Sequence, residues 1–268
     1  MDGNGNAGIM AITPRASIND WTRVLLERIR EQPDPIDRVC RLIRYFSPQV
    51  ATAVLSNDEN DALETHRREI TAVFLDLRGF TSFADGVEPE DVAVVLRTYH
   101  AEMGKLIFRF EGTVEHFAGD GIMVFFNDPV PCEEHTERAV RMALEMRERM
   151  KDLRASWLRN GYDLDLGIGL AAGFASVGNI GFEGRMSYGA VGNVTNLASR
   201  LCDEAKGGQI LITKRTLSRV EDLAEAEFMG ELSLKGFARA IPAFNILGLR
   251  QRSYHEGATG LSAQGRLP

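Results

Sequence analysis

The chain has 268 residues, 44% of them hydrophobic, and a formal net charge of −7, which leaves enough apolar material for one sizeable core. That acidity excludes nucleic-acid binding by bulk charge, so a polyphosphate ligand would have to be met by metal ions or by a few placed Lys and Arg side chains. Cys40, Cys132 and Cys202 are widely spaced with no Cys-x-x-Cys pair, no apolar run approaches the roughly 20 residues of a membrane helix, and the opening MDGNGNAGIM has no basic or apolar signal region. Together these features predict a cytoplasmic protein without zinc, disulfides or a membrane span.

Residues 1–18 are rich in Gly, Asn and small side chains and predict disorder. Residues 19–65 predict a helical linker. Trp21, Val24, Leu25 and Ile29 recur at helical spacing before Gln32-Pro33-Asp34-Pro35 breaks the pattern. A second amphipathic stretch carries Val39, Leu42, Ile43 and Phe46, pauses at Ser47-Pro48, and resumes with Val50, Val54 and Leu55. The polar run Ser56-Asn57-Asp58-Glu59-Asn60-Asp61 then marks a boundary, with the main domain expected over 66–249.

Within that domain the period changes. Ile70-Thr71-Ala72-Val73-Phe74-Leu75 reads as a buried strand, and Val92, Val95, Leu96, Tyr99, Met103, Leu106, Ile107 and Phe110 form a long helical stripe. Strands at 113–118 and 122–126 flank the turn Gly119-Asp120-Gly121. Ala139, Met142, Ala143, Met146, Met150 and Leu153 predict a second long helix. Strands follow at 162–177 and 185–191, a short helix near 193–204, and strands at 209–212, 226–234 and 241–247. The order β-α-β-β-α-β with additions predicts an α+β fold, a ferredoxin-like split βαβ sheet with helices on one face. Residues 250–268, polar and Gly-rich, predict a flexible tail.

Two acids occupy positions where acids are expensive. Asp76 ends the run Val73-Phe74-Leu75, and Asp120 sits in the hairpin between two apolar strands. In a split βαβ sheet the first strand and the central hairpin are neighbours, so both carboxylates can meet at one edge. They would repel unless a cation lay between them, and Mg²⁺ or Mn²⁺, hard ions that favour oxygen, would remove the conflict. An Asp at a strand end or in a Gly-Asp-Gly turn is also an ordinary turn residue, so position alone leaves both readings open. Leu77-Arg78-Gly79-Phe80-Thr81 follows Asp76 directly, and a Gly and a Thr before a helix offer backbone N–H groups to phosphate oxygens. No Gly-x-x-x-x-Gly-Lys-[Ser/Thr] string is present.

With these residues in view, the chain resembles the class III adenylyl and guanylyl cyclases over residues 67–248. Phe74-Leu75-Asp76-Leu77-Arg78-Gly79-Phe80-Thr81 is similar to the family's first metal motif, and Phe117-Ala118-Gly119-Asp120-Gly121 with Met123-Val124-Phe125-Phe126 to its second. Gly192-Asn193-Val194-Thr195-Asn196-Leu197-Ala198-Ser199-Arg200-Leu201 resembles its Asn-x-x-x-Arg helix, and Leu234-Lys235-Gly236 its late strand with a phosphate-binding lysine. The resemblance implies two divalent ions, Mg²⁺ or Mn²⁺, on Asp76, Asp120 and the Leu77 backbone carbonyl. It implies Arg200 at the α-phosphate, Asn196 at the ribose and Lys235 at the terminal phosphates, with Gly79, Phe80 and Thr81 beside the phosphates. It also implies a two-fold homodimer with ATP at the interface, metal acids from one copy and the Asn/Arg/Lys set from the other. The stretch 37–55, with Tyr45-Phe46-Ser47-Pro48, resembles linkers that precede such domains; it is expected either to position the dimer or to pack on its own domain.

The chain departs from the family where the base is chosen. The position four before the second metal Asp is His116, where Lys for adenine or Glu for guanine is usual, and the position seven before Asn196 is Gly189, where a reading side chain is usual. Adenine is the expected base because the Glu/Cys guanine pair is missing, with GTP and dual use as alternatives. A cyclic-dinucleotide synthase is disfavoured because Ala118-Gly119-Asp120-Gly121-Ile122 stands where its Gly-Gly-[Asp/Glu]-Glu-Phe turn would be. A nucleotide-binding domain without chemistry is the rival of another class. No sensor fits within the first 65 residues, so control is expected from an upstream partner protein, pH, bicarbonate or dimerisation itself.

Overall fold

The computed structural model describes residues 35–56, 63–183 and 185–250, together with the helical backbone of Arg23 and Glu27. The expected disorder at 1–18, the apolar stripe of Trp21, Val24, Leu25 and Ile29, the linker at 57–62 and the tail after Arg250 lie outside the described residues. In chain order the elements are α1 (Pro35–Ile43), α2 (Pro48–Leu55), β1 (His66–Arg78), α3 (Phe80–Gly86), α4 (Pro89–Arg109), β2 (Thr113–Ala118), β3 (Gly121–Phe126), α5 (His135–Leu158), β4 (Asp165–Phe182), β5 (Arg185–Val191), α6 (Asn193–Glu204), β6 (Ile210–Thr213), α7 (Lys214–Leu217), β7 (Ala224–Leu232) and β8 (Ile241–Leu249). Proline at the first turn of α2 and of α4 costs no hydrogen bond there and fixes where each helix begins.

The sheet order is β2-β3-β1-β4-β6-β8-β7, with β5 pairing to β4. Its first four strands are the split βαβ arrangement expected from the element order. β1 is antiparallel to β3 from Thr71↔Phe126 to Leu75↔Ile122, and to β4 along its whole length, from His66↔Val177 to Arg78↔Asp165. It is longer than its apolar stretch because the β4 partner carries the ladder past both ends of that stretch.

Side chains of β1 alternate between two buried faces, which is why its centre reads as continuously apolar. Val73, Leu75 and Leu77 join Tyr99, Met103 and Ile107 of α4 and Ala139, Met142, Met146 and Met150 of α5 in the main core. Ile70 and Ala72 face the other way, packing with Ala171, Ala175, Val194 and Ala198. The two long helices therefore share a face, as expected. α6, one of the C-terminal additions, covers the opposite face. Its backbone lies so close to β4 that a Cβ on Gly169 would collide with the Ala198 carbonyl and the Cys202 amide.

α2 docks on the same protomer: Val50 and Ala51 are buried, and Gln49 Nε2 donates to the Gly112 carbonyl at 3.2 Å. Tyr45, Phe46, Val54 and Leu55 stay exposed. The β4–β5 hairpin also presents apolar side chains to solvent, namely Phe174, Ile180, Phe182, Met186 and Val191.

A polar network ties β1 to β5. Asp128, 1% exposed, accepts from His66 Nε2 at 2.8 Å, from Arg68 Nε at 2.9 Å and from the Tyr188 hydroxyl. The Glu64 carbonyl, then the Asp128 carboxylate, favour the protonated His66 ring and together outweigh its partial burial, so its pKa is raised. The linkage has one sign. The added stability is full below the ordinary histidine value of about 6.5 and is lost as pH rises through the raised folded value. Urea midpoints of wild type and His66→Ala should therefore differ most near about pH 5 and converge by about pH 8. A difference that grows with pH would contradict the network's role.

Candidate active site

Asp76 is the first residue of β1 beyond its ladder with β3, which ends at Leu75↔Ile122. The two-residue turn Gly119-Asp120 joins β2 to β3 at that same edge, with Gly119 in the left-handed region at φ 64°. Asp120 Oδ2 accepts from the Leu77 backbone N–H at 3.1 Å, which folds its carboxylate over the end of β1 and onto the Asp76 carboxyl. Leu77 points its own side chain into the core, so only its backbone is available at the surface.

The turn is braced from below. His100 of α4 donates from Nε2 to the Gly119 carbonyl at 3.1 Å and packs on Phe117 at 5.0 Å between ring centroids. Burial lowers the pKa of His100, against the opposing pull of the Gly119 carbonyl and the Asp120 charge.

Holding the two acids together has an electrostatic cost. Burial first, and then the hydrogen bond and charge of Asp120, push the Asp76 carboxyl up to about 6, against the opposing Arg78 guanidinium. Arg78 Nη1 stands 3.2 Å from Asp76 Oδ2, while Nη2 donates to the Cys202 carbonyl of α6 at 2.6 Å. Sequence reasoning quoted Arg78 within a motif but gave it no role, since its contact with α6 spans 124 residues of chain.

The donor set fits a hard divalent ion: two carboxylates and a backbone carbonyl, all oxygen, in mutual repulsion. Among the described residues no group of three or more His, Cys, Asp or Glu side chains gathers that could hold a metal alone. One or two carboxylates, completed by water and substrate phosphates, are what Mg²⁺ ordinarily takes from a protein.

The remaining expected residues belong to other elements of the protomer. Gly79, at φ 84°, turns the chain from β1 into α3, where Thr81 is exposed and Phe80 packs against Phe83 at 6.1 Å. Asn196 and Arg200 lie one turn apart on the outer face of α6, opposite the buried Val194, Ala198 and Leu201. Asn196 makes no side-chain hydrogen bond among the described residues, and Arg200 donates to Asp203 at 2.7 Å. Lys235 is exposed in the turn between β7 and β8 rather than on a strand, because the left-handed Gly236 (φ 89°) bends the chain there. Its neighbour Leu234 packs with Leu201 and Ala205 of α6, so the lysine is anchored beside the helix that carries Asn196 and Arg200. Within one protomer no hydrogen bond or ion pair among the described residues joins Asn196, Arg200 or Lys235 to Asp76 or Asp120.

His116 is exposed on β2, and the register between β2 and β3 jumps from Val114 to His116. That bulge turns Glu115 toward β5, where its carboxyl stands against Gly189. Sequence spacing cannot show a bulge, so Glu115 escaped notice.

The closeness of the acid pair is open to measurement. In Asp120→Asn, the Asp76 carboxyl should titrate below about 6, burial alone still holding it up, read by carboxyl NMR on metal-free protein. An unchanged Asp76 titration would place the two carboxyls apart.

Known proteins of similar sequence and fold identify the family. Residues 63–248 match the model of the adenylate and guanylate cyclase catalytic domain. Adenylate cyclase 1 of Rhizobium meliloti (strain 1021) is 29% identical over 186 residues, which cover 68% of this chain and 28% of that protein, so the chain spans less than a third of that relative's length. The crystal structure of the adenylyl cyclase CyaB from P. aeruginosa superposes with a TM-score of 0.68 at 36% identity, covering 70% of this chain and 98% of that one. The guanylyl cyclase Cya2 superposes with a TM-score of 0.64 at 34% identity, covering 71% and 97%. The chain therefore belongs to the adenylate and guanylate cyclase catalytic domain family, the nucleotide cyclases.

Proposed function

We propose that this domain converts ATP to 3′,5′-cyclic AMP and pyrophosphate at sites shared between two copies of the chain. The observation that carries the reading is the Asp76–Asp120 carboxyl pair, crowded at one sheet edge with no hydrogen bond or ion pair among the described residues to Asn196, Arg200 or Lys235 of its own protomer. A two-fold dimer brings the acid edge of one copy to the α6 face of the other and yields two equivalent sites. The exposed Phe174, Ile180, Phe182, Met186 and Val191 of the β4–β5 hairpin supply apolar surface for that contact.

Asp76, Asp120 and the Leu77 carbonyl would hold two divalent ions, Mg²⁺ or Mn²⁺. Bound there, the ions would acidify the ribose 3′-hydroxyl and neutralise the triphosphate. The 3′-oxygen attacks the α-phosphorus, the bond to the β-phosphate oxygen breaks, and pyrophosphate leaves. Asn196 orients the ribose. Arg200 exchanges its half-exposed partner Asp203, a contact of little worth in water, for the charge that develops on the α-phosphate. Lys235 and the backbone N–H groups after Gly79, at Phe80 and Thr81, meet the β- and γ-phosphate oxygens.

The purine lies between β2 and β5, beside His116 and Gly189. Likeness to an adenylyl cyclase at 36% identity and to a guanylyl cyclase at 34% keeps GTP as the competing substrate. Residues 66–249 form the catalytic domain in this reading. Residues 19–65 are the linker that positions the dimer and receives control from an upstream partner, in a cytoplasmic setting.

Two variants test the chemistry with ATP and Mn²⁺, cyclic AMP and pyrophosphate being read by chromatography. Asp76→Ala should make no product, and any surviving activity would remove the metal assignment. Arg200→Ala should lose about 10²–10³-fold in kcat with KM changed only a few-fold, because its contact strengthens in the transition state. A loss confined to KM would make Arg200 a binding residue only.

A further inference from the structure

Glu115 is the buried acid that the cyclase chemistry leaves without a task. It occupies the β2 bulge, half-buried, and reaches across to β5. Its carboxyl accepts a hydrogen bond from the Ala190 backbone N–H, while Oε2 is buried with no partner. A buried oxygen without a partner is destabilising and calls for an explanation in what it can meet.

Gly189 supplies the second observation. A Cβ at 189 would lie 2.5 Å from Glu115 Oε1 and 3.0 Å from its carboxyl carbon. The carboxyl thus fills the space that any side chain at 189 would take, and the glycine is what leaves room for it.

We infer that Glu115, entering from β2, reads the hydrogen-bonding edge of the purine in place of a side chain at 189 and ahead of the exposed His116. The inference rests on the proposed placement of the purine between β2 and β5. The Ala190 N–H engages the carboxyl but leaves Oε2 without a partner, and a turn of the side chain outward from Gly189 is what would bring that oxygen to a base edge. As a carboxylate oxygen it accepts from adenine's 6-amino group and repels guanine's 6-oxygen. Burial pushes the Glu115 carboxyl up to about 7, against the lowering effect of the Ala190 N–H, so the acceptor form prevails above that pH.

The test measures ATP against GTP in two ways: displacement of a fluorescent ATP analogue, and kcat/KM for cyclic product, both above the carboxyl's titration range. Glu115→Gln is isosteric and keeps an oxygen for Ala190, but presents an amide donor where the acceptor stood. It should lower the ATP-to-GTP ratio by at least about tenfold in both readouts. Gly189→Thr, which must evict the carboxyl, should shift the ratio in the wild-type background and much less in Glu115→Ala, a coupling that a general loss of folding would not give. Ratios within about twofold of wild type in both Glu115→Gln and Glu115→Ala, or a larger shift in His116→Ala, would overturn the assignment. If no variant nor wild type forms cyclic product while the displacement ratio still shifts, the cyclase reading fails and the role of Glu115 stands.

Discussion

Two carboxylates that repel each other are held at one end of the sheet because the strands beneath them allow no other arrangement. β1 is buried on both faces and hydrogen-bonded on both edges, so its direction and register are fixed by the core, and Asp76 arrives at the edge with them. The hairpin turn is fixed in the same way, its Asp120 carboxylate pinned by the Leu77 N–H and its backbone by His100. The packing free energy of the core sustains a local electrostatic conflict, and a divalent cation held there, as proposed, would relieve it.

The rest of the site depends on how the sheet's other face is covered. α6 turns Asn196 and Arg200 outward, while Val194, Ala198 and Leu201 hold it down, and Leu234 seats Lys235 alongside. One chain therefore carries its acid pair and its Asn/Arg/Lys set on different elements, with no hydrogen bond or ion pair joining the two sets among the described residues. Arg78 reaches Asp76 with one nitrogen and the end of α6 with another. A site divided in this way has a physical reason to need a second copy, which is also what the apolar β4–β5 hairpin would cover.

Much of this was legible in the residues. Tyr99, Met103 and Ile107 on α4, and Met142, Met146 and Met150 on α5, announced two long helices by period alone, and Gly119-Asp120 announced the hairpin. The split βαβ order followed from the succession of periods. Three features were not legible, each for a definite reason. The bulge at Glu115 is a backbone irregularity that no alternation of side chains encodes. The tie from Arg78 to Cys202 joins positions far apart in the chain. Lys235 was expected on a late strand by resemblance, beyond the strand read at 226–234, yet Gly236 takes the chain round a turn there. The roles of Asn196, Arg200 and Lys235 came from resemblance rather than from any local signal, since an exposed amide and two exposed cations are unremarkable on their own.

Gly169 carries a mechanical consequence. Packed helices usually stand about 8–10 Å apart, axis to axis, with side chains interlocking between them, whereas at Gly169 the backbone of α6 meets that of β4 directly. Such a joint has little compliance, so a twist or tilt of the central strands would carry the helix with it, and with the helix the outward-facing amide and guanidinium. Any signal that bends the sheet from its far end thus arrives at the cationic surface as rigid-body displacement.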